Sequence, residues 1–337
     1  MSISSLAPGL LLLVPLVLAG CTGDDSATVV APEAPQAPAP AMATFPRAGA
    51  DAAVIERVAD MYNTGMNGGG WAIADEIYAP DYVPHVPGFP QMKDLPSAIA
   101  ELNAESMTLS DYHFVLDDVF GAGDEIVARF TATAKWIWQV PEARPYVNPG
   151  IIIFRFENGK IAEEWWQFDL LGVQEQVGFV PPTPTRSGYG WSPSSTVTGN
   201  PGIPGQNASL VRRAAQMVST GNLVLAEHVL SPTLLYHDPA VPPVTDLTSF
   251  EQVVVAPLRT AFPDVHVAVE DVVASGDRVA VRLTFQGTQL QPFGGIPTTG
   301  RTVEWTSSAI YRIADRKIVE AWSAWDAAGL LTQLMAP

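Results

Sequence analysis

Two aspartates stand where a carboxylate could do acid/base work. Asp326 closes the run Trp322-Ser323-Ala324-Trp325-Asp326, and Asp169 closes Trp165-Trp166-Gln167-Phe168-Asp169. Side chains alternate along a strand, so Trp322, Ala324 and Asp326 share one face, as do Trp165, Gln167 and Asp169. A carboxyl group beside an indole in a closed apolar pocket is poorly solvated. Desolvation favours the neutral acid and raises its pKa toward the range a general acid/base needs near neutral pH. The competing reading is that each aspartate bonds backbone groups at the end of its strand and fixes the turn that follows.

Two histidines occupy matching places, His85 in Tyr82-Val83-Pro84-His85 and His237 in Leu234-Leu235-Tyr236-His237. A neutral imidazole there could orient a carbonyl or relay a proton, or it could simply be hydrogen-bonded at a rim. His113 and His266 read as surface or rim residues. Trp305, Trp322 and Trp165 fall in strand patterns with the other tryptophans. Aromatics alternating on a curved sheet mostly fill it, and a minority line a ligand cavity.

Other chemistries lack their residues. Gly68-Gly69-Gly70 has no Lys-Ser/Thr after it, so it is not a phosphate loop. There is no Gly-x-Ser-x-Gly elbow and no pair of histidines at metal-ligand spacing. The single cysteine, Cys21, excludes an intrachain disulfide and a thiolate cluster. We therefore expect no metal. A net charge of −17 repels nucleic acid and anionic lipid headgroups. With 47% hydrophobic and 16% charged residues, the 337-residue chain has enough apolar content for two cored domains.

An internal repeat supplies the elements that must position these residues. Met61 with Thr64-Gly65 matches Met217 with Thr220-Gly221, and His85 matches His237. Asp111-Tyr112-His113 matches Asp264-Val265-His266, and Trp165, Asp169 and Gly172 match Trp322, Asp326 and Gly329. The separation stays nearly constant along the chain, as a true duplication requires. Each copy begins with helical patterns: Ala52–Met66, Trp71–Tyr78 and Leu95–Met107, matched by Ala208–Thr220, Leu223–Leu230 and Leu247–Ala261. Strand patterns follow. Asn158-Gly159 is a strong hairpin signal in copy one, and Ala314-Asp315-Arg316 holds that place in copy two. Helices first and an antiparallel sheet after predict an α+β fold, a curved sheet closed by about three helices into a cone with an apolar interior.

The N-terminus reads as an address. A short apolar run, Leu10–Leu18, is followed by Ala19-Gly20-Cys21, which suits a secretory signal over residues 1–20 and resembles the bacterial lipobox. No Lys or Arg precedes the run. That resemblance implies acylation of Cys21 and anchoring to a membrane of the bacterial cell envelope. The Pro/Ala-rich segment 21–48 then acts as a tether, with domains at 49–177 and 208–337 and a Pro/Gly/Ser linker at 178–207.

The order of elements resembles the NTF2-like superfamily, and within it the SnoaL-like domains that include polyketide and ester cyclases. The residues that carry this resemblance in copy two are Ala261-Phe262-Pro263-Asp264, Gly295-Ile296-Pro297-Thr298-Thr299-Gly300-Arg301 and Ile318-Val319-Glu320-Ala321-Trp322-Ser323-Ala324-Trp325-Asp326. Copy one keeps Glu163-Glu164-Trp165-Trp166-Gln167-Phe168-Asp169 but has Val140-Pro141-Glu142-Ala143-Arg144-Pro145 in place of the Gly-Ile-Pro loop. The resemblance implies cofactor-free acid/base chemistry on a small, largely apolar carbonyl compound. It implies Asp326, then Asp169, as acid/base, with His237, His85 and the tryptophans shaping the site. The alternative is a non-catalytic module that binds a small hydrophobic ligand or an envelope protein. Relatives of this kind pair through the outer sheet face, which implies that the two copies could form a pseudo-dimer within the chain.

Overall fold

The computed structural model describes residues 49–183, 186 and 188–336. The predicted signal, tether and Cys21 lie outside the described residues. In the first domain, α1 (Gly49–Thr64) runs into a wide turn through Gly69, followed by α2 (Ala74–Ile77), β1 (Tyr78–His85) and α3 (Leu95–Ser106). Four strands come next, β2 (Leu109–Ala122), β3 (Glu125–Trp136), β4 (Arg144–Glu157) and β5 (Lys160–Phe168), and then α4 (Leu170–Gln176). The second domain repeats this order with α5 (Pro204–Thr220), α6 (Leu223–Val229), β6 (Leu230–His237), α7 (Leu247–Phe250), α8 (Ala256–Ala261), β7 (His266–Ser275), β8 (Arg278–Thr288), β9 (Thr302–Ala314), β10 (Lys317–Trp325) and α9 (Ala327–Met335). No described helix is long and apolar enough to cross a membrane.

The fold is α+β, and its two sheets have identical strand orders, β1-β5-β4-β3-β2 and β6-β10-β9-β8-β7. The sheets are antiparallel except at one edge. β1 pairs parallel with β5, and β6 with β10. A parallel pair needs a long crossover, and here α3 with three strands provides it. Each copy also gains a helix after its last strand, α4 and α9, that the strand pattern alone does not predict. Local chemistry accounts for other boundaries. Asp94 and Asp246 cap α3 and α7 through reciprocal bonds with Ser97 and Ser249. Asn158 and Gly159 turn with φ of 52° and 76°, whereas Asp315 and Arg316 make the matching turn without glycine. Asp315 is braced there by Asn200 of the linker, through bonds of 2.9 and 3.1 Å.

Both faces of each sheet are buried. The inner faces pack on their own helices, the larger core lying in the first domain and including Tyr62, Phe114, Phe130, Phe154 and Trp166. The outer faces pack on each other. Phe120, Val127, Ile151 and Ile153 of the first domain join Val273, Ala280, Ile310 and Trp322 of the second in one cluster. Reciprocal cation–π contacts flank it: Arg129 lies 4.8 Å from the Trp322 ring and Arg282 lies 4.0 Å from the Trp165 ring. On one side Arg278 donates to Asp118 at 2.7 Å. At the matching place Glu125 faces Asp271, and burial together with Asp271's hydrogen bond and charge pushes Glu125 up to about 8.

The linker is tied into this seam. Trp191 donates to the Phe130 carbonyl at 3.0 Å, and the Ser195 N–H to Glu320 at 2.7 Å. The fully packed seam predicts that Trp322→Ala, at a site 2% exposed, lowers stability by about 3–5 kcal/mol in urea unfolding. Trp165→Ala, at a half-buried site, should cost less; equal losses would remove the assigned role of Trp322 as the seam's anchor.

Candidate functional site

The last strand of each domain decides which side chains meet the interior. In β5 the phase Glu164, Trp166, Phe168 faces the helices and lines a cavity of about 110 Å³. The opposite phase, Trp165 and Gln167, faces the second domain, where Gln167 donates to the Thr306 hydroxyl. The shared face of Trp165, Gln167 and Asp169 therefore exists, but it lies at the seam. β10 follows the same rule. Trp322 is buried between the domains, and its stacked partner His237 holds Glu320 at 2.9 Å. Burial alone would raise the Glu320 carboxyl, but the bonds from His237 and the Ser195 N–H hold it below the usual range.

His85 repeats this arrangement at a more exposed position, stacked on Trp165 and 2.7 Å from Glu163. Neither His85, His237, Trp165 nor Trp322 lines the cavity. A one-residue change of strand phase turns Trp165 and Trp322 toward the seam between the sheets.

The two aspartates end their strands as helix caps. Asp169 accepts from the Gly172 N–H at 2.9 Å at the start of α4, and Asp326 accepts from the Gly329 N–H at 2.8 Å at the start of α9. A Cβ on either glycine would lie about 2 Å from the capping carboxylate, namely 2.1 Å at Gly172 and 2.0 Å at Gly329, so the Asp-x-x-Gly pattern is a packing requirement. Asp169 is also paired with Arg186 of the linker at 2.5 Å, and Arg186 meets Glu175 at 2.7 Å. Burial raises the Asp326 carboxyl, partly offset by the Gly329 N–H. The geometry fits the structural reading of these residues, and neither is among the residues that line the cavity.

The group that does combine burial with access to the cavity is Glu164, which is 1% exposed. Tyr82 donates its hydroxyl to Glu164 Oε1. Oε2 is buried without a partner among the described residues, as is Asn148 Oδ1 on the same cavity wall. Desolvation raises the Glu164 carboxyl to about 7, against the opposing hydrogen bond from Tyr82. Glu105 on α3, of intermediate exposure, is also raised to about 7, by burial and then by the negative charge of Glu101. The phenols of Tyr62, Tyr78, Tyr82, Tyr112 and Tyr146 are all raised by burial, so they stay protonated and can donate. Among the described residues no group of three or more His, Cys, Asp or Glu side chains is placed to hold a metal ion.

The second domain replaces this chemistry residue by residue. In strand register Ala321 stands for Glu164, Ser323 for Trp166 and Trp305 for Asn148. Trp305 is itself core: its ring stacks on Phe285 at 5.3 Å and packs beside Phe262, with Val303, Leu330 and Leu334 around it. Asp238 is raised to about 7 by burial, and Tyr236 donates to it at 3.1 Å. The signal for Glu164 is present in the sequence as an acid alternating with Trp166 and Phe168, and for Glu105 as an acid in helical phase with Ala98 and Leu102.

Residues 208–334 match the family described as SnoaL-like polyketide cyclase, and residues 58–164 match the SnoaL-like domain. The chain carries two tandem SnoaL-like domains. Solved structures to which this chain is similar include IdmH of Streptomyces antibioticus, at 31% identity and a TM-score of 0.35 over 38% of this chain and 98% of that one. TsrD of Streptomyces laurentii gives 25% and 0.37 over 40% and 98%. A SnoaL-like polyketide cyclase of Agrobacterium tumefaciens gives 22% and 0.29 over 39% and 92%. Comparison with curated proteins returns no match.

Glu164 and Glu105, together with Asp238 and Glu125, are carboxyls raised to about 7 or 8 and give the SnoaL-like tandem a pH signature. A folded pKa of about 7 against 4.5 means the folded state keeps protons the unfolded state has lost. Stability from Glu164 and Glu105 is thus full below about 4.5 and falls as pH rises to about 7, by on the order of a few kcal/mol. Urea midpoints measured from pH 4.5 to 7.5 should show this slope, and Glu164→Gln should make it shallower, with Glu105, Asp238 and Glu125 still contributing. An unchanged slope in that variant would mean the carboxyl is solvated.

Proposed function

We propose that the first domain is the working half. Its cavity takes a small, largely apolar carbonyl compound and performs cofactor-free acid/base chemistry of the cyclase or isomerase type. The observation that carries this reading is Glu164, almost wholly buried in the cavity wall with one carboxyl oxygen that has no partner among the described residues. A carboxyl with a pKa near 7 is populated in both protonation states at neutral pH, so it can take a proton from the carbon beside a carbonyl and return it elsewhere. Tyr82 fixes the orientation of Glu164, and the neighbouring neutral phenols are placed to stabilise an enolate oxygen. In this reading the acid/base moves from Asp326 and Asp169 to Glu164, one strand phase away.

The test is exchange of the α-protons of phenylacetone in deuterated buffer, followed by NMR. The wild-type rate should rise with pH through about 7. Glu164→Gln should lower it by about 10²–10⁴-fold. Asp326→Asn, which can still cap α9, should leave it within a few-fold. Exchange lost in Asp326→Asn and kept in Glu164→Gln would return the base to Asp326.

A second reading, binding of a hydrophobic ligand without turnover, is favoured by the cavity wall, where Met61, Met66, Phe89, Met92 and Leu95 outnumber the polar groups. The second domain, with its aromatic filling, then serves as the partner of an intrachain pseudo-dimer. For the whole chain we propose export and acylation at Cys21, on the Leu-Ala-Gly-Cys sequence. Cells fed an alkyne fatty acid should label the wild type and not Cys21→Ser, and equal labelling would remove the anchor.

A further inference from the structure

The cavity of the first domain has an electrostatic character that a neutral carbonyl compound does not use. Three carboxyl side chains line it, Glu101 and Glu105 from α3 and Glu164 from β5, and no Lys, Arg or His does. Glu101 and Glu105 are one turn apart on the inner face of α3, so both point the same way. Tyr62 lines the same cavity. Around Tyr62 the aromatic wall is dense: Trp166 lies 5.3 Å away, and Phe130 lies 5.4 Å from Trp166. Tyr78 and Tyr82 are 4.5 Å apart beside Glu164. Aromatic faces and carboxylates attract the same class of group, a desolvated organic cation.

A buried acidic cluster without a counter-charge is costly in an empty cavity. Nothing in the fold requires these acids there. The second domain builds the same scaffold with Ala321 in place of Glu164. Glu164 is almost wholly buried, yet it leaves one oxygen unpartnered on the cavity wall. We infer that the ligand of this cavity carries a protonated or quaternary amine, seated against Glu164 and Glu105 with its substituents on the aromatic wall. This rests on the same cavity as the proposed function and specifies its substrate class: a small aryl or alkyl amine, which for turnover would also bear the carbonyl.

A cation placed between the acids favours their ionised forms. Binding should therefore release protons near neutral pH and tighten as pH rises, because the empty cavity holds protons that the loaded cavity does not.

The experiment is calorimetric titration of the two-domain chain with phenethylammonium and with 2-phenylethanol, a neutral compound of similar size. At pH 8 the cation should bind at least about tenfold more tightly than the alcohol, and this ratio should shrink at pH 6. Heats in two buffers of different ionisation enthalpy should differ for the cation and agree for the alcohol. Glu164→Gln and, independently, Glu105→Gln should each weaken the cation by about tenfold and leave the alcohol unchanged, so the inference survives poor folding of one variant. Equal binding of the two compounds, a preference for the alcohol, or no binding of either overturns it. The acid/base proposal fails separately: proton exchange on phenylacetone that persists in Glu164→Gln removes the base without touching the cation preference. Loss of exchange with no preference for the cation keeps the base and removes the amine.

Discussion

Burial of both faces of each five-stranded sheet is the constraint on which the rest of the molecule depends. A sheet with one wet face advertises its inner phase by alternation. Here the inner phase packs on helices and the outer phase packs on the other domain, so β5 carries Glu164, Trp166 and Phe168 on one side and Trp165 and Gln167 on the other. The same strand thus serves two environments, and each single residue step exchanges an interior role for a seam role. Everything chemical about the site follows from which phase is which.

The seam explains why the histidine–tryptophan pairs are where they are. His237 on Trp322 and His85 on Trp165 are related by the duplication, as are Arg129 over Trp322 and Arg282 over Trp165. Each indole is therefore held between a histidine of its own sheet and an arginine of the opposite one. The symmetry breaks in charge, since Arg278 meets Asp118 on one side while Glu125 meets Asp271 on the other. It also breaks in burial, because the linker with Trp191 and Ser195 covers the His237 side and leaves His85 exposed.

Divergence inside the two domains runs parallel to this. The first keeps an acid, an amide and phenols around open space, while the second fills the corresponding space with Trp305, Phe285 and Phe262. Buried carboxyls are destabilising where a well-packed apolar interior would be favourable, and at the Glu164 position the second domain has Ala321.

The sequence by itself determined the duplication, the helices-then-strands order, the Asn158-Gly159 turn and the pairing of Asp169 with Gly172 and Asp326 with Gly329. Each of these rests on spacing or on local backbone chemistry, which a linear chain displays. The separation of Trp165 and Trp322 from the interior, the capping role of the two aspartates, and the place of Glu164 and Glu105 on the cavity wall were decided only by the tertiary structure. A strand whose two faces are both apolar carries no mark of which one is enclosed by its own helices. That choice is made by the second sheet, which arrives from more than a hundred residues away in the sequence, as the Arg278–Asp118 bond across a separation of 160 residues makes plain.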